Sequence, residues 1–180
     1  MTNMNGKRPA AFIDRDGTLI EEVNFLSKVD ELRVFPYTAE ALRLLKENGY
    51  WIVVVTNQSG IGRGMYTEAD MNAIHDAMQS ELGGAIDAFY HCPHLPDEGC
   101  KCRKPGLGMI QYAQRDLPID LERSWMIGDK RIDVETGQAA GIGSALVLTG
   151  YGIKHRSELK YDPDVVSDDL LGVVTQIVRP

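Results

Sequence analysis

The stretch YWIVVVTNQ, residues 50–58, is the feature of this sequence that most limits how the chain can fold. Its side chains are apolar without interruption from Trp51 to Val55, and they lack the alternation that marks a strand with one face in water. Such a strand is expected where helices cover both faces of a sheet. The stretch therefore predicts a parallel α/β sheet, and we expect this strand to be central in it.

Short β-type runs alternate with helical patterns along the rest of the chain, as in a parallel α/β fold. Further strands are predicted at AAFI (10–13), IDAFYHC (86–92), SWMIGD (124–129) and SALVLT (144–149). Helices are predicted at 36–49, from Thr67 to about Leu82, and at 107–115, 131–141 and 167–178. Residues 160–170 are interpreted as a polar connection into the last helix. Because no repeat or linker divides the pattern, we expect one domain over residues 1–180.

The other aromatic and histidine residues are assigned by their surroundings in the sequence. Trp51 and Trp125 lie in predicted strands, so we expect them to pack in the core. His75 and His155 are both expected to be at the surface. The two tryptophans are therefore not expected to stack on a ligand.

The formal net charge of -7 and the isoelectric point near 5.1 limit the partners of the chain. A chain of this charge repels phosphate polymers, which argues against nucleic acid and anionic membranes as partners. The first 18 residues contain no apolar core long enough for a signal peptide, and no segment approaches the roughly 20 apolar residues of a membrane span. We therefore expect a cytoplasmic protein with no nucleic-acid or membrane partner, and we expect a monomer.

Polar residues stand at or just beyond the ends of three predicted strands: Asp14, Thr56 and Asp129. Open α/β sheets bind ligands in the crevice at the carboxyl ends of their strands, so these residues are expected to lie near one another. Taken alone, Asp14 and Asp16 are equally consistent with a solvated turn, because Asp-Gly pairs are common in turns. A hydroxyl at Thr56, a cation at Lys104 and a further carboxylate at Asp129 favour a functional site.

The order of these residues resembles the haloacid dehalogenase (HAD) superfamily of phosphohydrolases. Its four motifs match DRDGT (14–18), Thr56, Lys104 and GDKRID (128–133), within a resemblance that spans about residues 10–150. The stretch TNQSGIGRG and the cysteine-rich loop before RKP are similar to the branch that contains the histidinol-phosphatases and the D,D-heptose 1,7-bisphosphate phosphatases. The resemblance implies a Rossmann-like three-layer sandwich with a central, mainly parallel sheet, and a small zinc-binding loop instead of a large cap domain.

The resemblance also implies a phosphomonoester hydrolase that works through an aspartyl-phosphate intermediate. Asp14 is then the nucleophile, and Asp16 is first the general acid and later the general base. Thr56 and Lys104 hold the transferring phosphoryl oxygens. Two carboxylates beside a phosphate dianion need a hard cation, and Mg²⁺ suits oxygen ligands. The Mg²⁺ ligands are assigned to Asp14, the backbone carbonyl of Asp16 and Asp129, with Asp133 as a more distant or water-mediated partner.

All three cysteines of the chain lie in residues 91–104, together with two of its four histidines. Three cysteines cannot all pair with one another, and thiols in the cytosol stay reduced, so the cluster favours a metal site over disulfides. A Cys₃His set is a common composition for structural zinc, and it leaves no position open for chemistry. The alternative is three buried free cysteines beside an exposed histidine. We predict zinc at Cys92, His94, Cys100 and Cys102, and the Cys-Pro-His order of the resembled family selects His94 over its rival, His91.

A second group of residues is predicted to contact the substrate: Asn57, Gln58, Ser59, Arg63, Arg103 and Lys130. The Gly-rich stretch SGIGRG (59–64) fits a loop whose amides bind phosphate about as well as it fits a flexible turn. The resemblance favours D-glycero-D-manno-heptose 1,7-bisphosphate, converted to the 1-phosphate, with histidinol phosphate or another small phosphorylated metabolite as alternatives. Only five residues separate His94 from Cys100, fewer than that branch often has.

Two functions of a different class use similar residues. A phospho-accepting receiver module also combines clustered Asp, a Thr or Ser, a Lys and Mg²⁺, but it accepts the phosphoryl group on an Asp after a middle strand. The middle strand of this chain ends in Thr56-Asn57. A zinc-loop binding module without catalysis would not need Asp14, Asp16 and Asp129 together. The sequence therefore favours a phosphatase over both.

Overall fold

A computed structural model describes residues 6–179 of the chain, and its centre is a sheet of parallel strands. The strands are β1 (Ala10–Ile13), β2 (Trp51–Asn57), β3 (Ala88–Cys92), β4 (Trp125–Gly128), β5 (Gly143–Val147) and β6 (Val165–Ser167). They are arranged in the order β3-β2-β1-β4-β5-β6, and every neighbouring pair is parallel. The predicted parallel α/β fold is confirmed, and every strand expected from the sequence is present.

Helices cover both faces of the sheet. They are α1 (Thr38–Glu47), α2 (Ser59–Gly62), α3 (Glu68–Glu81), α4 (Gly108–Asp116), α5 (Arg131–Ala140), α6 (Gly152–Arg156) and α7 (Leu170–Ile177), with short 3-10 turns at Val29–Glu31 and Leu121–Arg123. Successive side chains of β1 point to opposite faces of the sheet, as in any strand. Ile13 belongs to the core under α1, α3 and α7, and Phe12 belongs to the core under α4. The Gly137 backbone of α5 lies against Met126, on the same face as α4. The predicted three-layer sandwich is therefore observed.

The apolar strand β2 is buried on both faces, as its sequence predicts, but it is not at the centre of the sheet. It lies between β1 and the edge strand β3, and the middle pair is β1 and β4. The expectation of a central position was wrong because burial of both faces requires helices above and below a strand, and it does not require the middle place in the order. This arrangement sets the end of β1 between the ends of β2 and β4.

The segment predicted to be a polar connection contains the edge strand β6. Val166 pairs with Leu146 of β5, while the flanking residues are polar or proline. Three residues are too short a run to give a recognisable period, and the pairing to β5 is what makes them a strand. The short helices α2 and α6 were likewise not predicted from the sequence.

The structure corrects the surface assignment of His75 and refines three other expectations. His75 faces inward from α3 and is 6% exposed, so its expected surface position was wrong. His155 is half-buried, and its Nδ1 accepts a hydrogen bond from the backbone N of Arg131 at 3.2 Å. Trp51 and Trp125 are half-buried residues that pack against the two cores.

Helix ends follow local sequence signals. Thr67 and Asp70 form a reciprocal capping box at the start of α3, with the Thr67 side chain accepting from the Asp70 amide at 3.2 Å.

None of the helices in residues 6–179 is long and apolar enough to cross a membrane. The expected absence of a signal peptide rests partly on residues 1–5, which lie outside the described residues.

Candidate active site and metal centre

The carboxyl edge of the sheet brings together residues from four distant segments. Asp14 follows β1, Asp129 follows β4, Asp133 lies in the first turn of α5, and Lys104 comes from the loop before α4. Oxygen atoms of the three carboxylates lie within 4.8 Å of one another, and all three residues are buried. The backbone N of Asp14 donates to the carbonyl of Ile127 at 2.9 Å, which fixes the end of β1 against β4. The predicted convergence on one edge is thus present in the geometry.

Lys104 is the central cation of this cluster. Its Nζ donates to Asp14 Oδ1 at 2.8 Å and to Asp133 Oδ1 at 2.6 Å, and its side chain is almost fully buried. Burial opposes its charge, but the carboxylates of Asp133 and Asp14 raise the pKa of Lys104 above its ordinary value. Lys104 is therefore a buried, fixed positive charge.

The carboxyl group of Asp14 is kept ionised by its surroundings. Burial alone would raise its pKa, but the ammonium groups of Lys104 and Lys130 outweigh burial and hold the pKa of Asp14 below its ordinary value. An ionised carboxylate has the free electron pairs that a nucleophile needs. Asp14 is therefore chemically suited to attack an electrophile such as phosphorus.

Asp129 has one carboxylate oxygen without a partner among the described residues. Oδ2 accepts from the Tyr151 backbone N at 2.8 Å, whereas Oδ1 is buried and makes no hydrogen bond. A side chain at Gly17 or Gly150 would come within 2.3 Å or 2.2 Å of Oδ2, so both positions require glycine for this close approach. A buried carboxylate oxygen with no donor is expected to face a cation.

The electrostatics of Asp129 support the same conclusion. Burial, and next the negative charge of Asp14, raise the pKa of Asp129 to about 8. A divalent cation would reverse this effect, because it stabilises the ionised carboxylate. The cluster of Asp14 and Asp129 therefore fits a hard cation such as Mg²⁺.

Asp133 has both carboxylate oxygens occupied by donors. Oδ1 accepts from Lys104 Nζ, and Oδ2 accepts from the Lys130 backbone N at 3.0 Å. A side chain on Gly128 would meet the Asp133 carboxyl at 2.2 Å, so this glycine also permits a close approach. Asp133 is placed to orient Lys104 and the start of α5, and its role as a more distant partner of the cation stays a prediction.

Asp16 is held by a group of side chains around its carboxylate. The Arg15 guanidinium makes a bidentate contact (a fork of two hydrogen bonds) with this carboxylate, with Nε 3.0 Å from Oδ2 and Nη2 3.0 Å from Oδ1. Gln58 Nε2 donates to Asp16 Oδ2 at 2.9 Å and to Thr56 Oγ1 at 2.8 Å, and the Tyr66 hydroxyl donates to Gln58 Oε1. Thr56 and Asp16 therefore belong to one connected hydrogen-bond network.

Asn57 holds the loop that carries Lys104. Its Nδ2 donates to the Lys104 carbonyl at 3.2 Å, and its Oδ1 accepts from the Lys104 backbone N at 3.0 Å. The Asn57 side chain thus bonds to the Lys104 backbone as a neighbouring β-strand would. Asn57 lies in the site as predicted, but both of these hydrogen bonds are to protein backbone.

A polar cavity of about 230 Å³ opens beside these residues. Its lining includes five of the six residues predicted to contact substrate: Asn57, Gln58, Ser59, Arg103 and Lys130. Arg63 is not among the lining residues, and its guanidinium lies 5.9 Å from the ring centroid of Phe25 at the cavity wall. Lys130 Nζ lies 3.2 Å from Glu22. The cavity therefore offers cations for an anionic ligand beside the carboxylate cluster.

The Gly-rich stretch SGIGRG is shaped by packing. A side chain at Gly60 would meet the Tyr66 ring at 2.1 Å, and one at Gly62 would meet the Pro93 carbonyl oxygen at 2.6 Å. The backbone N–H groups of residues 61–64 donate to carbonyl oxygens of the chain itself. These four amides are therefore not available to bind phosphate, and of that alternative only the amides of Ser59 and Gly60 remain as a prediction.

The four predicted zinc ligands meet at one point beyond the end of β3. The His94 Nδ1 atom lies 3.2 Å from Cys102 Sγ and 3.5 Å from Cys92 Sγ, and Cys100 Sγ lies 3.5 Å from Cys92 Sγ. His91 points elsewhere, with Nε2 3.1 Å from Glu68. Three sulphur atoms and one imidazole nitrogen at mutual contact fit a tetrahedral zinc ion. The selection of His94 over His91 agrees with this geometry.

Several residues of the site were missed from the sequence: Arg15, Glu22, Tyr66, His75 and Tyr151. Arg15 had a detectable signal, because it stands between two aspartates in a strand-end motif where a charged residue must find a partner. Glu22, His75 and Tyr151 act through contacts between segments far apart in sequence, and Tyr66 contacts Gln58 across the turn that contains α2, so no local pattern indicates them.

Comparison with known proteins gives consistent matches. A family model described as HAD-hydrolase-like matches residues 101–173. A D-glycero-beta-D-manno-heptose-1,7-bisphosphate 7-phosphatase of Yersinia pestis is 41% identical over 165 residues, covering 86% of this chain and 88% of that protein. The protein of the same name from Haemophilus ducreyi is 36% identical over 183 residues, covering 96% and 99%.

Solved structures show the same likeness. The D,D-heptose 1,7-bisphosphate phosphatase from B. bronchiseptica, complexed with magnesium and phosphate, has a TM-score of 0.87 at 35% identity and covers 94% of this chain and 98% of its own. The corresponding structure from Burkholderia thailandensis has a TM-score of 0.72 at 32% identity, with 96% and 100% covered. Each of these two structures covers more than nine-tenths of this chain.

Proposed function

This chain belongs to the HAD-like hydrolases, in the family of the D-glycero-D-manno-heptose-1,7-bisphosphate 7-phosphatases, and we propose that it removes the C7 phosphate from that heptose bisphosphate. The chain is a phosphatase, and its substrate is a small phosphorylated sugar. The observation that supports the proposal most is the buried contact of Lys104 with Asp14 and Asp133 beside a cation-lined cavity.

In the proposed reaction, an oxygen of Asp14 attacks phosphorus while the bond between phosphorus and the C7 oxygen breaks. Lys104, which contacts Asp14, is placed to balance the negative charge that builds on the phosphoryl oxygens. Thr56 is buried at the same edge, and its hydroxyl is held by Gln58. The first half of the reaction leaves a phosphoryl group on Asp14.

Asp16 is proposed to move the protons. It lines the cavity and would give a proton to the C7 oxygen as the sugar leaves. It would then take a proton from the water that attacks phosphorus in the aspartyl-phosphate. That water breaks the bond to the Asp14 oxygen and releases inorganic phosphate.

The residues at the carboxyl edge fit Mg²⁺. We propose that Asp14, Asp129 and the backbone carbonyl of Asp16 hold it, with Asp133 acting through Lys104 or through water. The unpartnered Oδ1 of Asp129 supports this assignment. When bound, Mg²⁺ would neutralise the charge of the carboxylates and of the incoming phosphate.

The second phosphate of the substrate needs cations away from Asp14. Arg103 and Lys130 line the cavity and are the proposed contacts. Burial opposes the charge of Lys130, but the carboxylates of Asp14 and Asp129 raise its pKa, so it is positively charged at neutral pH. Arg103 Nη1 donates to the His94 carbonyl at 3.3 Å, which ties its direction to the cysteine cluster.

The cluster of Cys92, His94, Cys100 and Cys102 is proposed to bind a structural zinc ion. Burial raises the pKa of the Cys92 thiol, so the free thiol keeps its proton at neutral pH, and a metal would be needed to hold a thiolate there. Reduced thiols fit a cytoplasmic location. We also propose that residues 1–180 act as one domain and as a monomer.

The test is phosphate release in the presence of Mg²⁺ from both anomers of the heptose 1,7-bisphosphate and from histidinol phosphate. We expect the bisphosphate to have a kcat/KM on the order of 100-fold higher, because histidinol phosphate has no second anion for Arg103 and Lys130. Phosphorus NMR of the product identifies which phosphate is lost. Preference for histidinol phosphate, or release of the C1 phosphate, would contradict the proposal.

A further inference from the structure

Arg15 is a buried guanidinium with partners on two sides. It is 1% exposed, and its Nε and Nη2 form the fork onto Asp16. Its remaining Nη1 lies 3.3 Å from His75 Nε2. A buried charge without partners is costly, so both the carboxylate and the imidazole are needed to hold this guanidinium in place.

The position of His75 is itself fixed by packing. The residue lies in α3, and its ring stacks on Phe89 of β3 with centroids 4.4 Å apart and planes 16° from parallel. Because a guanidinium has only donors, Nε2 of His75 must be the acceptor in the contact with Arg15. Burial, and next the charge of Arg15, lower the pKa of His75 to about 3, so the ring is neutral and keeps that acceptor.

We propose that His75 is a positioning residue for phosphate transfer, which acts through Arg15 to set the orientation of the Asp16 carboxylate. The inference rests on the proposed function, in which Asp16 gives the proton to the leaving oxygen. His75 lies on the helix side of Arg15, and Asp16 lies on the cavity side, so His75 has no direct contact with substrate in this arrangement.

The physical reason lies in the geometry of the fork. Both oxygens of Asp16 are matched to Nε and Nη2, so rotation of the guanidinium would break two hydrogen bonds together. The contact from Nη1 to His75 opposes that rotation. Gln58 supplies a donor to Oδ2 only and cannot by itself fix the plane of the carboxylate.

Substrates whose leaving groups differ in basicity can distinguish a positioning role of His75 from a purely structural role. A sugar alkoxide needs a proton as it departs, whereas 4-nitrophenolate leaves without one. The rate of the first turnover is therefore measured with the heptose bisphosphate and with 4-nitrophenyl phosphate. The variants are His75→Met, which fills the space without an imidazole acceptor, and His75→Gln, which keeps an acceptor near the Nε2 position.

For His75→Met we expect a loss on the order of 10-fold or more with the bisphosphate, a change of less than about twofold with 4-nitrophenyl phosphate, an unchanged KM, and recovery in His75→Gln. Equal losses on both substrates, or no loss, would overturn the inference. If His75→Met does not fold, His75→Leu takes its place, and His75→Gln must still keep the wild-type ratio of the two rates.

Asp16→Asn in the same assay separates the two proposals. If this variant shows the selective loss and the His75 variants do not, the inference fails and the role of Asp16 stands. If Asp16→Asn shows no dependence on the leaving group, Asp16 is not the acid, and the inference is overturned together with that part of the proposed function.

Discussion

The side chain of Asn57 and the backbone of Lys104 are joined by two hydrogen bonds, one donated and one accepted, at 3.2 Å and 3.0 Å. Through them the end of β2 fixes the loop that carries the central cation of the site. The lysine side chain can then reach Asp14 and Asp133 at the same time.

Asn57→Ala should therefore impair catalysis without removing any charge. We expect kcat to fall on the order of 10-fold, since both backbone groups of Lys104 lose their partner and the ammonium is less well placed. Steady-state phosphate release measures the effect, and Asn72→Ala, at an exposed position of α3, is the matched control. Equal activity of the two variants would show that the loop keeps its position without Asn57.

Asp14→Asn should abolish turnover while leaving the fold intact. An amide cannot replace the ionised carboxylate as nucleophile, so we expect a loss of at least about 10³-fold. Lys104 keeps its contact with Asp133, and circular dichroism and thermal unfolding should therefore show a folded protein. Asp97→Asn, an exposed aspartate in the cysteine-rich loop, serves as control. A rate near that of the wild type would remove Asp14 from the nucleophilic role.

Removal of zinc should disorder the loop of residues 92–104 and lower activity. The loop has little regular structure, so the metal would supply much of its order. A zinc-selective chelator is applied with Mg²⁺ in excess, and hydrogen exchange is followed in the loop and in β1 and β4. Exchange should increase in the loop alone, and added zinc should restore both order and activity.

Two histidine variants test the ligand set directly. His94→Ala should lose bound zinc, whereas His91→Ala should retain it, because His91 faces Glu68. Metal analysis of protein purified without chelator gives the answer. Absence of zinc from the unmodified protein would rule out the metal assignment.

His75 should make the fold sensitive to acid. Its pKa is lowered from 6.5 to about 3, by burial and then by the charge of Arg15, so below pH 6.5 the unfolded chain binds a proton that the folded chain does not. The free energy of unfolding therefore decreases as the pH is lowered, by about 2 kcal/mol from this residue between pH 6.5 and pH 5. Urea unfolding of wild type and His75→Gln at both pH values measures the difference. Equal losses in both proteins would show that His75 does not contribute.

Much of the fold was predictable because it depends on local pattern. The apolar run from Trp51 to Val55 indicated a strand covered on both faces, and the Thr67 signal placed the start of α3. The order of strands was not predictable in this way, since it depends on how helices pack between them. For the same reason β6 was missed, because its three residues become a strand only by pairing with β5.

The candidate site shows a similar division. The strand-end rule and the motif order led to Asp14, Lys104 and Asp129, and the spacing of cysteines led to the cluster in residues 92–102. The supporting residues were not accessible from the sequence. Arg15 and His75 are 60 positions apart, and burial of a histidine on a polar-looking helix depends on the tertiary contact with Phe89.

The pairing of β1 with β4 has a consequence for the newly made chain. Ile13 lies opposite Ile127, so the sequence from β1 to β4 must all be synthesised before these neighbouring strands can meet. When only the residues up to the cysteine-rich loop have left the ribosome, Asp14 has been made but β4 has not. The end of β1 then lacks the neighbouring strand that holds Asp14 in place. Hydrolytic activity should then emerge late in translation, and a chain truncated before residue 125 should be unable to turn over substrate, however well its first half is ordered.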